Sequence, residues 1–275
     1  VKVLRSALVQ HLNKIACGGR ITEAVFGDAF ATRALSPDQM LLVNAPTLPD
    51  VEPLEEEIGV SDLSMVIRAF GFIPGEGNEG ADVHVYVEDG RLIIDEEEHS
   101  KARQYLMTAS PKTIGTRIEE ATAKKLLDKA PSGKGLKLTR QLVQGIQKTF
   151  SGYKATEIEL FIGKKGGHVR VGNENGHYAE FESKDLKGKE EYSVLFGGHL
   201  VDVLAQVTDF TSAELRLGGP GQMAVVQDGD YQYLLGPKKR AADEKQTKTK
   251  PAASSEEKPT KRRTTKKKAS SDDEE

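Results

Sequence analysis

Cysteine occurs once in 275 residues, as Cys17, which excludes an internal disulfide and any cysteine-rich metal centre. Its place near the end of a helix-like segment marks it as a structural thiol rather than a nucleophile. No apolar run approaches the roughly 20 residues of a membrane span, and no charged-then-apolar leader opens the sequence, so a soluble, intracellular protein without a membrane partner is expected. The six histidines show neither paired ligand spacing nor a neighbouring cysteine, so no metal is assigned. Walker loops, Gly-x-Ser-x-Gly elbows and zincin motifs are missing. Residues 75–80 do spell Gly-x-Gly-x-x-Gly, but they follow a helix-like segment, precede a strand-like one and carry Glu76 and Glu79, the reverse of a dinucleotide loop. The run Asp95-Glu96-Glu97-Glu98 points its carboxylates to both faces of a strand end and reads as a solvated edge. With no catalytic residue and no cofactor to assign, a non-enzymatic role is expected.

Aromatic residues are missing after Tyr233, and Val, Leu, Ile, Met and Phe after Leu235. A segment so composed buries too little apolar surface to offset the entropy of ordering, so residues 238–275 are expected to form a disordered tail. That tail holds 13 Lys or Arg against 8 Asp or Glu, a net +5, which leaves −8 for residues 1–237 out of a total of −3. An acidic body therefore carries a basic tail. Its cluster Lys261, Arg262, Arg263, Lys266, Lys267 and Lys268 suits salt-sensitive, sequence-independent contact with nucleic-acid phosphates, and the terminal Asp272-Asp273-Glu274-Glu275 can compete for the same cations.

What the chain does contain is an echo. An amphipathic helix followed by about three strands occurs four times, twice in residues 1–110 and twice in 135–237. The helices are marked by Leu4, Leu8, Leu12 and Ile15; by Leu63, Val66, Ile67 and Phe70 after a candidate cap at Ser61; by Leu138, Leu142, Val143 and Ile146 from about Leu136; and by Leu200, Val203, Leu204 and Val207. Strand-like runs follow at 21–26, 29–35 and 40–45; at 83–87, 92–95 and 103–107; at 157–162, 168–171, 178–182 and 192–195; and at 213–217, 223–227 and 231–235. One helix per unit can cover one face of a small sheet, so pairs of units can close a shared core. The expected fold is α+β: two similar domains, 1–110 and 135–237, with helices on one face of antiparallel sheets, joined by a connector at 111–134. Within that connector, 117–129 has an amphipathic, helix-like pattern.

The third helix offers the sharpest functional signal. At about 100° per residue its apolar side chains face one way, while Lys137, Arg140, Gln141, Gln144 and Lys148 face the other, with no carboxylate among them. In a body at −8 that face is a local departure of charge. The first helix turns Ser6, Gln10, Asn13 and Lys14 outward with Arg5 on its flank, and the second adds Arg68. Such side chains hold phosphates without reading bases.

Four helix-plus-strands units in two domains, with basic helix faces on an acidic body, resemble the DNA sliding clamps: the proliferating cell nuclear antigen of eukaryotes and archaea and the clamps of bacteriophages. The closest local matches are Ser36-Pro37-Asp38-Gln39-Met40-Leu41-Leu42-Val43 and Tyr231-Gln232-Tyr233-Leu234-Leu235-Gly236-Pro237-Lys238. The resemblance covers residues 1–237 and implies a ring of six domains, hence a homotrimer, whose helices line a hole around duplex DNA and which tethers a polymerase. Arg5, Lys14, Arg68, Lys137, Arg140, Gln144 and Lys148 would face the DNA. Polymerase and clamp loader would insert short hydrophobic motifs at an outer pocket, which by position draws on Met40, Ile114, Leu126, Leu127, Leu235, Gly236 and Pro237. The resemblance places the protein at replication sites, in the host cytoplasm for a phage or in the nucleus for a eukaryote or nuclear virus. A monomeric viral processivity factor that holds DNA by its basic face and tail, and a non-enzymatic scaffold, are the alternatives.

Overall fold

The chain was analysed as a computed structural model, which describes residues 1–73, 82–96, 101–131, 135–173 and 176–238. The Gly-rich stretch 75–80, Glu97, Glu98 and the tail from Lys239 onward, with Lys261, Arg262, Arg263, Lys266, Lys267 and Lys268, lie outside the described residues.

Helix α1 (Arg5–Ala16) follows the short strand β1 (Lys2–Leu4) and buries Leu8, Leu12 and Ile15 on one stripe. It ends where Cys17 and Gly18 take left-handed backbone angles, φ 46° and 65°. Strands β2 (Ala24–Phe26), β3 (Thr32–Leu35), β4 (Leu41–Ala45) and β5 (Ile58–Val60) lead to α2 (Leu63–Gly71). The cap of α2 is Asp62 rather than Ser61: its carboxylate accepts the Met65 amide at 2.9 Å. Then come β6 (Asp82–Glu88), β7 (Arg91–Glu96) and β8 (Ala102–Met107), and, in the connector, α3 (Glu120–Asp128).

The second half opens with β9 (Leu136–Lys137) and α4 (Arg140–Gly152). The Thr139 hydroxyl accepts the Leu142 amide at 3.2 Å and so starts the helix at Arg140, four residues later than the apolar pattern implies. Strands β10 (Glu157–Ile162), β11 (Gly167–Gly172), β12 (Tyr178–Ser183) and β13 (Tyr192–Phe196) precede α5 (Gly198–Leu204), and β14 (Glu214–Leu217), β15 (Ala224–Asp228) and β16 (Tyr231–Leu235) follow it. The sequence runs matched these strands to within a few residues, but β1, β5 and β9 are too short to leave a period.

Among the described residues, every pairing between these strands is antiparallel. The sheets are β1-β6-β7-β8, β12-β11-β10-β13, the pair β2-β5, and a six-stranded sheet β3-β4-β16-β15-β14-β9. In that last sheet β4 from the first half pairs with β16 from the second, Leu41 opposite Leu235 through Asn44 opposite Gln232. One continuous apolar cluster runs through both halves, from Leu8, Leu12 and Phe70 to Val143, Leu200 and Tyr233.

The helices form a row. α1 packs on α2, the turn after α1 packs on α5, and α5 packs on α4. Arg20 and Asp202 pin that middle junction with an ion pair of 2.7 Å.

Candidate nucleic-acid interface

The outward side of this helix row gathers most of the expected cations. On α4, Arg140, Gln141, Gln144 and Lys148 are exposed while Val143 and Ile146 are buried, and the Arg140 guanidinium lies 5.5 Å from the Phe210 ring centroid, a stacking contact that orients it. Lys137 is exposed but belongs to β9, opposite Glu214 at a sheet edge, so it is not part of the helical face expected for it. Arg68 on α2 is exposed and held along its helix by the Ser64 carbonyl, 3.3 Å from Nε. Arg5 donates to the Phe70 carbonyl, where the last turn of α2 presents the negative end of its dipole. An open cleft of about 690 Å³ runs beside α1, lined by Arg5, Ser6, Gln10, Asn13, Ile67 and Gln206.

Lys14 departs from the expectation. Rather than pointing outward it is 7% exposed, and its Nζ donates to Asp228 Oδ2 at 2.7 Å and sits 4.3 Å from the Tyr231 ring centroid. The helical wheel places Lys14 at the edge of the polar side, but the β15–β16 hairpin of the other half covers that edge. His11, one turn earlier, is part of the same network. Its Nε2 lies 2.9 Å from the Phe30 carbonyl and must donate to it, so Nδ1 accepts from the Tyr231 hydroxyl at 2.6 Å. Burial pushes Tyr231 up to about 12, with Asp228 and Asp230 adding to it, so the hydroxyl stays a donor. Desolvation likewise lowers His11 to about 4. Its folded-state value lies below the ordinary value near 6.5, so the neutral ring favours the fold fully above that pH. As pH falls from about 6.5 to 4 the unfolded chain takes up the proton first, and roughly 3 kcal/mol of stability is lost. Urea unfolding at pH 7.5 and pH 4.5 should show that loss, and His11→Gln should flatten it.

Cys17 is buried, and burial with the nearby Asp202 pushes its thiol far up, which keeps it protonated and inert. Among the described residues no group of three His, Cys, Asp or Glu is placed to hold a metal, and no helix is long and apolar enough to cross a membrane.

The second expected site, the outer pocket, takes a different form. An apolar strip separate from the main core consists of Leu42, Val225 and Leu234, flanked by Leu35 and Met223, and the connector covers it with Ile118, Leu126, Leu127 and Ala130. Leu126 and Leu127 are thus at the strip as expected, on α3. Leu235 is not: strand alternation turns it into the main core and brings Leu234 outward. Ile114 is buried but not part of the strip. Gly236 donates its amide to the Met40 carbonyl at 2.9 Å, and a β-carbon on Gly236 would lie 3.4 Å from the Met40 sulfur, so these two meet just past the β4–β16 pairing, with Pro237 half-buried next in sequence. Leu42 and Leu234 were missed because a run of three or more apolar residues hides which face each takes; the alternation beginning at Tyr231-Gln232-Tyr233 was the available signal.

No family model matches the chain, and no curated protein matches it in sequence. Solved structures match it in fold. The A. fulgidus PCNA, solved with the C-terminal region of FEN-1, superposes with a TM-score of 0.61 at 16% identity, over 88% of this chain and 98% of that one. A PCNA2-PCNA3 complex from Sulfolobus tokodaii gives 0.61 at 12% identity, over 86% and 98%. A DNA polymerase sliding clamp from Pseudomonas aeruginosa gives 0.58 at 12%, over 87% of this chain and 66% of that one. With antiparallel sheets behind a row of four helices, the chain has the fold of the DNA sliding clamps.

Proposed function

We propose that the chain is a polymerase processivity factor: a homotrimeric ring around duplex DNA, built from halves 1–110 and 135–237 joined by the connector 111–134. The observation that carries this reading is the helix row, whose outward side bears Arg5, Arg68, Arg140, Gln144 and Lys148 while the sheets stand behind it. Two features of the sheets support ring closure. Strands β8 and β12 each stand last in a four-stranded sheet, and their solvent faces carry Tyr105, Met107 and Tyr178, exposed by 54%, 75% and 53%. Sheet edges that expose large apolar side chains invite pairing, and a closed ring of copies covers them. Function is then topological: the ring slides and breaks no bond.

DNA contact is loose and made to phosphates, by the helix row and by the tail cations Lys261, Arg262, Arg263, Lys266, Lys267 and Lys268. Lys14 serves the fold instead. Partner proteins, polymerase and clamp loader among them, are read as docking short apolar segments at the strip between α3, Met40 and Gly236. The A. fulgidus PCNA was solved with the C-terminal region of FEN-1 bound to it.

Light scattering over a range of concentrations tests the ring: a mass near three times 30.0 kDa supports it, and a stable monomer leaves a face-and-tail DNA binder. The DNA face has its own test. Replacing Arg68, Arg140 and Lys148 together by alanine should lower the slope of log affinity against log salt by roughly 0.9 per lost contact, about 2 to 3 in all, without changing the oligomer. An unchanged slope would remove the helix row from the DNA interface.

A further inference from the structure

The apolar strip of Leu42, Val225 and Leu234 is already filled. These side chains are 3%, 3% and 2% exposed, because Ile118, Leu126, Leu127 and Ala130 of the connector lie over them. No segment from outside can touch the strip while α3 stays in place.

This cover is held less firmly than the chain on either side of it. Ahead of α3, Thr116 is buried and fastened three ways: its amide donates to Glu23 Oε1 at 3.0 Å, its hydroxyl donates to the Glu23 carbonyl at 2.7 Å, and its carbonyl accepts the Leu35 amide at 2.9 Å. Arg117 adds an ion pair of 3.0 Å to Glu57. Behind α3, Leu136 is buried opposite Leu215, and the Leu138 amide donates to the Ala213 carbonyl at 3.0 Å. Between these anchors α3 has nine residues, fewer than the roughly 12–15 an isolated helix needs to persist in water, and no side chain caps its first turn. Of its residues Ala123 alone is fully buried, while Leu126 and Leu127 are half-buried. Among the described residues its polar tie to the body is the Arg33–Glu120 pair at 3.7 Å, between side chains 42% and 80% exposed, a contact worth little in water. An element with so few buried contacts, set between firm anchors, opens locally without unfolding the sheets.

We infer that α3 is an exchangeable occupant of the strip: it swings away between its anchors at Thr116 and Leu136, and an amphipathic helix supplied by a partner protein takes its place. The present occupant defines the chemistry of its replacement. Ala123, Leu126 and Leu127 stand at i, i+3 and i+4 with Ala130 continuing the stripe, and Lys124, Lys125 and Lys129 are turned to solvent. Met223 at the rim, unbranched and polarisable, adapts to apolar side chains of other shapes. The inference rests on the strip being the partner site and adds that the free protein keeps this site closed. Tethered at both ends, α3 competes at an effective concentration of about millimolar, so a partner binds only as far as it outcompetes the resident helix.

The connector itself supplies the probe, a fluorescein-labelled peptide of residues 117–131 added to the full chain. Leu126→Ser with Leu127→Ser loosens the resident helix, so by fluorescence anisotropy this variant should bind the peptide roughly tenfold or more tighter than the wild-type chain does. Adding Met223→Asp at the rim should weaken that binding again. Hydrogen exchange on the wild-type chain reads the opening without any substitution: the amides of α3 should exchange about a hundredfold or more faster than those of β4, β15 and β16. Exchange of α3 as slow as that of the strands overturns the inference. Equal peptide affinity for the wild-type and the loosened chain also overturns it, while leaving the strip as an open docking place. Peptide binding by neither chain, or binding untouched by Met223→Asp, overturns the docking reading as well.

Discussion

Replacing Asp228 by alanine is expected to destabilise the chain by roughly 3–5 kcal/mol, the cost of stranding one member of a buried ion pair. The Asp228 side chain is completely buried and accepts from three donors: Lys14 Nζ at 2.7 Å, the Asp209 amide at 2.9 Å and the Thr208 amide at 3.3 Å. Its loss leaves an ammonium group and two backbone amides without their acceptor in a place water reaches poorly, next to the Tyr231 ring. Since Lys14 and Asp228 lie 214 residues apart, the pair also staples α1 to the β15–β16 hairpin. Lys14→Met should cost less, because the carboxylate keeps its two amide donors and the methionine fills the same volume. Urea unfolding followed by circular dichroism checks this ordering: equal losses for the two variants would overturn the role given to the two amides, and no loss for Asp228→Ala would show the pair to be incidental.

Tyr105→Asp should dissolve the oligomer. In a ring closed at β8 the new carboxylate replaces a tyrosine that the adjoining copy covers, so an apolar contact is lost and a charge is taken out of water. A weakening of at least a hundredfold per interface, about 2.7 kcal/mol, is expected. The residue is 54% exposed in the single chain, so the monomer should keep its fold. Light scattering beside circular dichroism distinguishes the outcomes: monomers with native spectra support the edge-strand interface, and an intact trimer excludes β8 from it.

The buried network explains why only part of the outward helix face was legible. Arg68, Arg140, Gln144 and Lys148 lie where helical periodicity placed them, since an exposed helix face is a local property of the sequence. Lys14 looked the same on a helical wheel, yet the β15–β16 hairpin takes it inward. The outer strip was half legible. Leu126 and Leu127 stood out on an amphipathic stretch of the connector, but the surface they cover comes from four strands, β3, β4, β15 and β16, remote from the connector in sequence.

By itself the sequence determined the four amphipathic helices, most strands and their order, the helix-plus-strands repeat and the contrast between an acidic body and basic tail, because each is written in local period or composition. Only the tertiary structure decided the pairing of β4 with β16, the seat of α3, the burial of Lys14 against Asp228 and which strands end their sheets. Those outcomes join residues tens to hundreds of positions apart. They turn on hydrogen-bond register and on which apolar face finds a cover, and no periodicity within a single element records either.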